Sequence, residues 1–166
     1  VKCIEKHCID STGLWWTFDK ETGELSILGA GEIPDWTLNN TPWAEYSNKV
    51  KIVTIENGVS SIGDCSFADC NSLETVTLPE SVVTIGNLAF KNCSILTSIV
   101  VSKNVTNIGD GAFEGCAALT VYGYRDSFVA TYTANNNVCF VAFDAVAEIT
   151  VNKKKKIVYT VGDTLD

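Results

Sequence analysis

The residues that could do chemistry are few, and their spacing suits it poorly. His7, the sole histidine, lies between Cys3 and Cys8 in "KCIEKHC". That trio offers soft metal ligands or a cysteine–histidine nucleophile pair. A structural zinc takes four ligands, and no second pair completes the set. A nucleophile needs a base held by rigid surroundings, whereas this segment reads as an unsupported terminus. Cys70, Cys93 and Cys116, three of seven cysteines, recur every 23 residues. A redox array would need exposed thiols of lowered pKa, but these stand beside columns of Phe, Leu and Ile. They read as buried free thiols acting as small apolar side chains, since a disulfide-stapled protein would be shorter and richer in cysteine. Asp64 and Asp110 recur at turns, where carboxylates cap backbone groups. No glycine-rich stretch continues into the Lys and Thr of a phosphate-binding loop. The expectation is a chain without catalytic residues, metal or cofactor.

What positions these residues is a repeat. "VSSIGDCSFADCNSLETVTL" from Val59 returns as "VVTIGNLAFKNCSILTSIVV" from Val82 and "VTNIGDGAFEGCAALTVYGY" from Val105. The columns predicted to form one interior ladder are Ile62, Ile85 and Ile108; Phe67, Phe90 and Phe113; the three cysteines; and Leu73, Leu96 and Leu119. Val50, Val53 and Ile55 repeat the strand half one period earlier, which gives three repeats and a leading half. Such a unit cannot bury its apolar face alone, and stacking neighbours makes a continuous core. In "LETVTL", Leu73, Val76 and Leu78 point inward while Thr75 and Thr77 point out, as strand alternation requires. Successive strands then stack about 4.8 Å apart in a parallel sheet. The glycine after each Ile marks a turn where a side chain would be in the way.

The stretches "SIGDCSFADCNSLETVTLP", "TIGNLAFKNCSILTSIVV" and "NIGDGAFEGCAAL" resemble the leucine-rich repeats of the BspA-like type. The likeness extends over roughly residues 14–143, including "WWTFDKETGELSILGAGEIPDW" as a lead-in and "VYGYRDSFVATYTANNNVCFVAF" as a closing segment. It implies an α/β repeat solenoid, rich in β, wound as a right-handed coil with a parallel sheet. Three segments are expected: an amino-terminal cap over 1–49, the repeats with their closing segment over 50–143, and a linker or further module over 144–166. Ser66 departs from the Ala of the pattern, and "LTVYGY" is one residue short.

In the cap, "WWTF-DKETG-ELSIL" reads as a hairpin turning at Gly23. Thr41 and Pro42 read as the start of a short helix through Tyr46 that sets Trp43 against the first coil. "SFVATYTANN" reads as a closing helix with Ser127 as N-cap. Ala145–Asp166 resembles the opening strands of an immunoglobulin-like module, which needs about 100 residues; a native terminal hairpin is the alternative.

At 166 residues, 46% hydrophobic and 19% charged, the chain suits one folded domain with a fragment of another. No apolar run reaches the ~18–20 residues that span a bilayer. "VKCIEKHCID" lacks a signal sequence, so a mature or trimmed piece of a larger protein is expected. A net charge of −8 disfavours nucleic acid and anionic membrane. Lys153–Lys156 is the exception, readable as a solubilising turn and edge guard or as a ligand patch.

Three functions remain open. The first is an extracellular, adhesin-like module binding host or neighbouring-cell proteins or matrix, as the resemblance implies. Its face would be Thr54, Thr75, Thr77, Ser98 and Val100, with Glu74 at the rim, a polar surface lacking an anchor aromatic. The second is glycan binding through Trp15, Trp16, Trp36 and Trp43 in the cap. The third is a passive spacer.

Overall fold

The computed structural model describes residues 6–9 and 13–143. Cys3, the lysine run and the segment from Ala145 onward therefore lie outside the described residues. The chain forms a β-solenoid of about four coils with parallel sheets and little helix. Strands β1 (His7–Cys8), β2 (Trp15–Asp19), β3 (Glu24–Leu28) and β4 (Gly31–Glu32) precede the repeats. The coils then supply β5 (Ile52–Ile55) with β6 (Val59–Ile62), β7 (Thr75–Thr77) with β8 (Thr84–Ile85), and β9 (Ser98–Val100) with β10 (Asn107–Ile108). β11 (Thr120–Tyr124), helix α1 (Phe128–Asn135) and β12 (Cys139–Phe143) close the stack.

One side of the solenoid carries sheet β1-β2-β3-β5-β7 and sheet β9-β11-β12; another carries β4-β6-β8-β10. Within the repeats all pairing is parallel and in register, Val53 opposite Val76 and Ile62 opposite Ile85. β7 and β9 lie side by side, yet no ladder joins them, so the outer face is two sheets rather than one.

Two features of the turns explain the repeat's small residues. A Cβ on Gly63, Gly86 or Gly109 would lie 2.0 Å from the Pro34 carbonyl oxygen, 2.5 Å from the Asp64 nitrogen or 2.5 Å from the Asn87 nitrogen. The coils touch backbone to backbone at this corner, which only glycine permits. Further on, each coil turns twice through the left-handed region, first at Cys65, Leu88 and Gly111 and then at Asp69, Asn92 and Gly115. Cys65 and Leu88 suit that region badly; their N–H groups are held by the Asn87 and Asp110 carbonyls of the next coil. Asp and Asn tolerate it better, and Asn92 donates to Asp69 Oδ1 at 2.8 Å.

The interior is a stack of rings. Trp43, Phe67, Phe90 and Phe113 follow one another with centroids 5.8, 5.4 and 5.7 Å apart, and Tyr132 of α1 ends the column edge-on at 6.1 Å. Ser66, where its counterparts are Ala89 and Ala112, is buried but satisfied: its hydroxyl donates to Gly63 O and its carbonyl accepts from Trp43 Nε1 at 2.8 Å.

Three local expectations change, and the one-residue shortening is borne out. The short cap helix is a single 3-10 turn, Ala44–Tyr46, with Trp43 rather than Thr41 before it. It stops because the N–H groups of both Lys49 and Val50 fold back onto Tyr46 O as the chain enters β5. Ser127 does occupy the N-cap of α1, but its hydroxyl donates back to Tyr124 O instead of capping. The segment around His7 is supported, because β1 pairs antiparallel with β2 and the His7 ring stacks on Trp16 at 4.5 Å. The short phrase "LTVYGY" starts its strand one residue sooner after Leu119. Val100 therefore faces Tyr122, 22 residues on, where Thr54 faces Thr77 across 23.

Candidate functional face

Alternation in the strands sorts each coil into an inner and an outer set. Inside, Ile62, Ile85, Phe67, Phe90, Cys93, Leu73 and Leu96 are fully buried, while Ile108, Phe113, Cys70 and Leu119 retain 5% or less of their surface. Cys116, near the end of the stack, is half-buried. The Cys93 thiol donates to Phe67 O at 3.3 Å and the Cys116 thiol to Phe90 O at 3.1 Å, each reaching the preceding coil. Burial, with help from the Asp69 carboxylate, pushes the Cys70 thiol up to about 12. Cys93 is also raised, first by its hydrogen bond with Cys116 and then by burial. These two thiols resist ionisation, the opposite of what a nucleophile needs. Among the described residues no cluster of His, Cys, Asp and Glu could hold a metal ion.

The turns carry a second ladder, of polar groups. Asp35 Oδ1 accepts from the Asp64 N–H at 2.9 Å, Asp64 Oδ1 from the Asn87 N–H at 2.6 Å, and Asn87 Oδ1 from the Asp110 N–H at 2.8 Å. Asp64 and Asn87 thus cap the following coil rather than their own turn.

Outside, Thr75, Thr77, Glu74 and Ser98 are exposed, and Val100 keeps 54% of its surface. Thr54 is only half-buried, because β3 pairs beside β5 and Glu24 Oε1 accepts its hydroxyl at 2.8 Å. The structure therefore joins Thr54 to the row but gives its hydroxyl a partner.

The face also continues past the residues that the repeat pattern nominates. Val100 faces Tyr122, which faces Val141 on β12, and Tyr124 faces Phe143. Because Val121 and Gly123 are buried, Tyr122 and Tyr124 point outward. Both rings meet Phe143, stacked at 6.2 Å and edge-on at 5.8 Å. Tyr124 is 43% exposed. An outer face lacking aromatics therefore describes only the early coils. The signal was present in the alternation of "TVYGY", hidden by the missing residue before it.

In the cap, Trp16 and Trp43 are buried and Trp36 is packed against the core. Trp15 is the cap tryptophan with an open ring, on the outward side of β2.

Stacked parallel coils, ring and thiol columns inside and a flat outer row define a leucine-rich solenoid. The chain belongs to the BspA-type family: the family described as "BspA type Leucine rich repeat region (6 copies)" matches residues 43–160. Such repeats typify surface and protein-interaction proteins and generally act as non-enzymatic binding modules. A leucine-rich repeat protein of Eubacterium ventriosum ATCC 27560 is similar at 22% identity over 74% of this chain and 44% of its own, with a TM-score of 0.54. The chain thus spans less than half of that protein, and the likeness is one of fold. A leucine-rich cell surface protein of Faecalibacterium prausnitzii A2-165 is 20% identical over 76% of this chain and 56% of its own, with a TM-score of 0.41. No curated protein matches the chain. No helix among the described residues is long and apolar enough to cross a membrane.

Proposed function

We propose that this chain is a non-catalytic, adhesin-like recognition module that attaches to proteins on cells or in matrix outside the cell. Residues 50–143 carry the recognition surface and 1–49 cap it. One observation carries the reading: the outward positions of β5, β7, β9 and β11 form a row over a close-packed ladder that fixes their geometry. The row is polar through Thr75, Thr77 and Ser98 and becomes aromatic at Tyr122 and Tyr124. Outward residues on such a scaffold can change without disturbing the core, and tyrosine is a common anchor in protein interfaces.

The test is surface binding of the chain to matrix proteins, mucins and glycans at low and physiological salt. A saturable protein hit that persists at physiological salt and is lost with Thr75→Arg/Thr77→Arg supports the reading. Binding that survives that substitution moves the site off the middle coils, and silence against every surface favours a spacer.

A further inference from the structure

Cys93 and Cys116 stand one repeat apart at the carboxyl end of the thiol column, and the coils that carry them are tied on both sides. Just before the pair, the Phe90 N–H donates to Ala112 O at 2.8 Å and the Asn92 N–H to Glu114 O at 2.7 Å. Just after it, the Thr120 N–H donates to Thr97 O at 2.9 Å. Backbones stacked in this way lie about 4.8 Å apart, within the Cα separations of about 4.4–6.8 Å that a disulfide spans. The two side chains also hydrogen-bond each other, so the sulfurs already meet.

Exposure separates the members of the column. Cys70 and Cys93 keep 1% or less of their surface. Cys116 is half-buried, between the exposed Gly115 and Ala117. A reagent in solution therefore reaches the column at Cys116. That thiol is also the readiest of the three to ionise, because its hydrogen bond with Cys93 lowers it against the opposing effect of burial. The thiolate is the attacking form.

We propose that Cys93 and Cys116 are a redox pair, converted by small-molecule disulfides into a disulfide that braces two adjacent coils at the carboxyl end of the stack. The Cys116 thiolate attacks one sulfur of the disulfide RSSR. A bond forms between the Cys116 sulfur and that sulfur, the S–S bond of RSSR breaks, and one RS⁻ leaves and takes up the proton that Cys116 gave up. Cys93 then attacks the Cys116 sulfur, and the second RS⁻ leaves and takes up the Cys93 proton. Two protein thiols are oxidised by two electrons, and RSSR is reduced to two RSH. The order follows from the pair itself. Cys93 resists ionisation first through its bond with Cys116, and that cause lapses once Cys116 bears RS in place of charge. In an oxidising compartment the bond reinforces the end of the column that the Tyr132 ring closes edge-on. The proposal stands whether or not the strand face binds protein.

The folded chain is incubated with 2-hydroxyethyl disulfide, freed of excess, alkylated without reduction and digested with trypsin. Cleavage after Lys91, Lys103 and Arg125 puts Cys93 on 92–103 and Cys116 on 104–125, so mass spectrometry reads the bond as these two peptides joined. The joined pair is the expected main product at Cys116. The melting temperature should rise by about 5 °C or more and fall back on reduction. Cys116→Ser should remove both the joined peptides and the rise, while Cys139→Ser should leave both in place. The mapping on the unsubstituted chain needs no variant. Cys116 left as a free thiol, Cys116 held as a mixed disulfide beside a free Cys93, or Cys116 joined to another cysteine would each overturn the proposal. A Cys93–Cys116 bond that leaves the melting temperature unchanged or lower would overturn its role as a brace.

Discussion

Trp15 aside, which is open on the outward side of β2, the two ends of the stack use aromatic residues in opposite ways. At the amino end Trp16, Phe18, Trp43 and Tyr46 turn their rings toward one another and onto Phe67. At the carboxyl end Tyr132 alone closes the ring column, while Tyr122, Tyr124 and Phe143 gather on the outer face. The difference is one of strand phase. Trp16 stands opposite Ile27 on the inward side of the hairpin, whereas Tyr122 stands opposite Val100 on the outward side. Rings inside act as a seal, and rings outside remain available to a partner. If that contrast is right, removing a ring should cost stability at one end and recognition at the other.

The largest effect belongs to the column itself. Phe90→Ala in the middle coil should cost about 3–5 kcal/mol, since a cavity opens between rings that cannot close around it. Trp43→Ala should cost a similar amount and also leaves the Ser66 carbonyl without its indole donor. Chemical denaturation measures both. A loss below about 1 kcal/mol for Trp43→Ala, against the full loss at Phe90, would show that the amino end is not sealed by this ring.

A comparable effect is expected from alkali. The Cys70 thiol, ordinarily ionising near 9, is held to about 12 in the fold. Its protonated form is therefore favoured by folding. The stabilisation is fully present below pH 9 and is lost as pH rises through 12, amounting to about 4 kcal/mol at the upper limit. Cys70→Ala carries no such group, so the stability difference between the two proteins should change across that range and stay flat below it. The exposed Cys139 should meanwhile react with a thiol reagent at neutral pH while Cys70 and Cys93 do not.

The corner glycines come next. Gly86→Ala sets a methyl 2.5 Å from the Asp64 backbone nitrogen, and the neighbour is main chain that cannot swing aside. Separating two coils there should cost about 1–3 kcal/mol, read as a shift in denaturation midpoint. A neutral result would mean that coils slide past one another more freely than the Asp64–Asn87 hydrogen bonds imply.

How much of this was legible in the sequence follows from periodicity. The columns Ile62, Phe67, Cys70 and Leu73 recur at a constant interval, so their common side could be read without coordinates. The outer row over β5, β7 and β9 followed from the same count. Tyr122 and Tyr124 could not be placed that way, because the interval shortens by one residue between Leu119 and Val121. A one-residue slip sends every later side chain to the other face. Thr54 looked free in the sequence because its partner, Glu24, belongs to a hairpin strand outside the repeat.

The smallest expected change in stability falls on Tyr124→Ala. Its ring is 43% exposed and touches Phe143 edge-on. Removing it should move stability by no more than about 0.5 kcal/mol, as for most surface substitutions. The contrast between the two ends predicts that the loss appears instead in binding, with any protein ligand of the strand face bound about tenfold or more weakly, as at an interface anchor. Tyr124→Phe separates the ring from the hydroxyl: retained binding assigns the contact to the aromatic face, and lost binding assigns it to a hydrogen bond. If Tyr124→Ala lowers stability as far as Trp43→Ala does, the carboxyl-terminal rings are a seal too, and recognition is confined to the threonine coils.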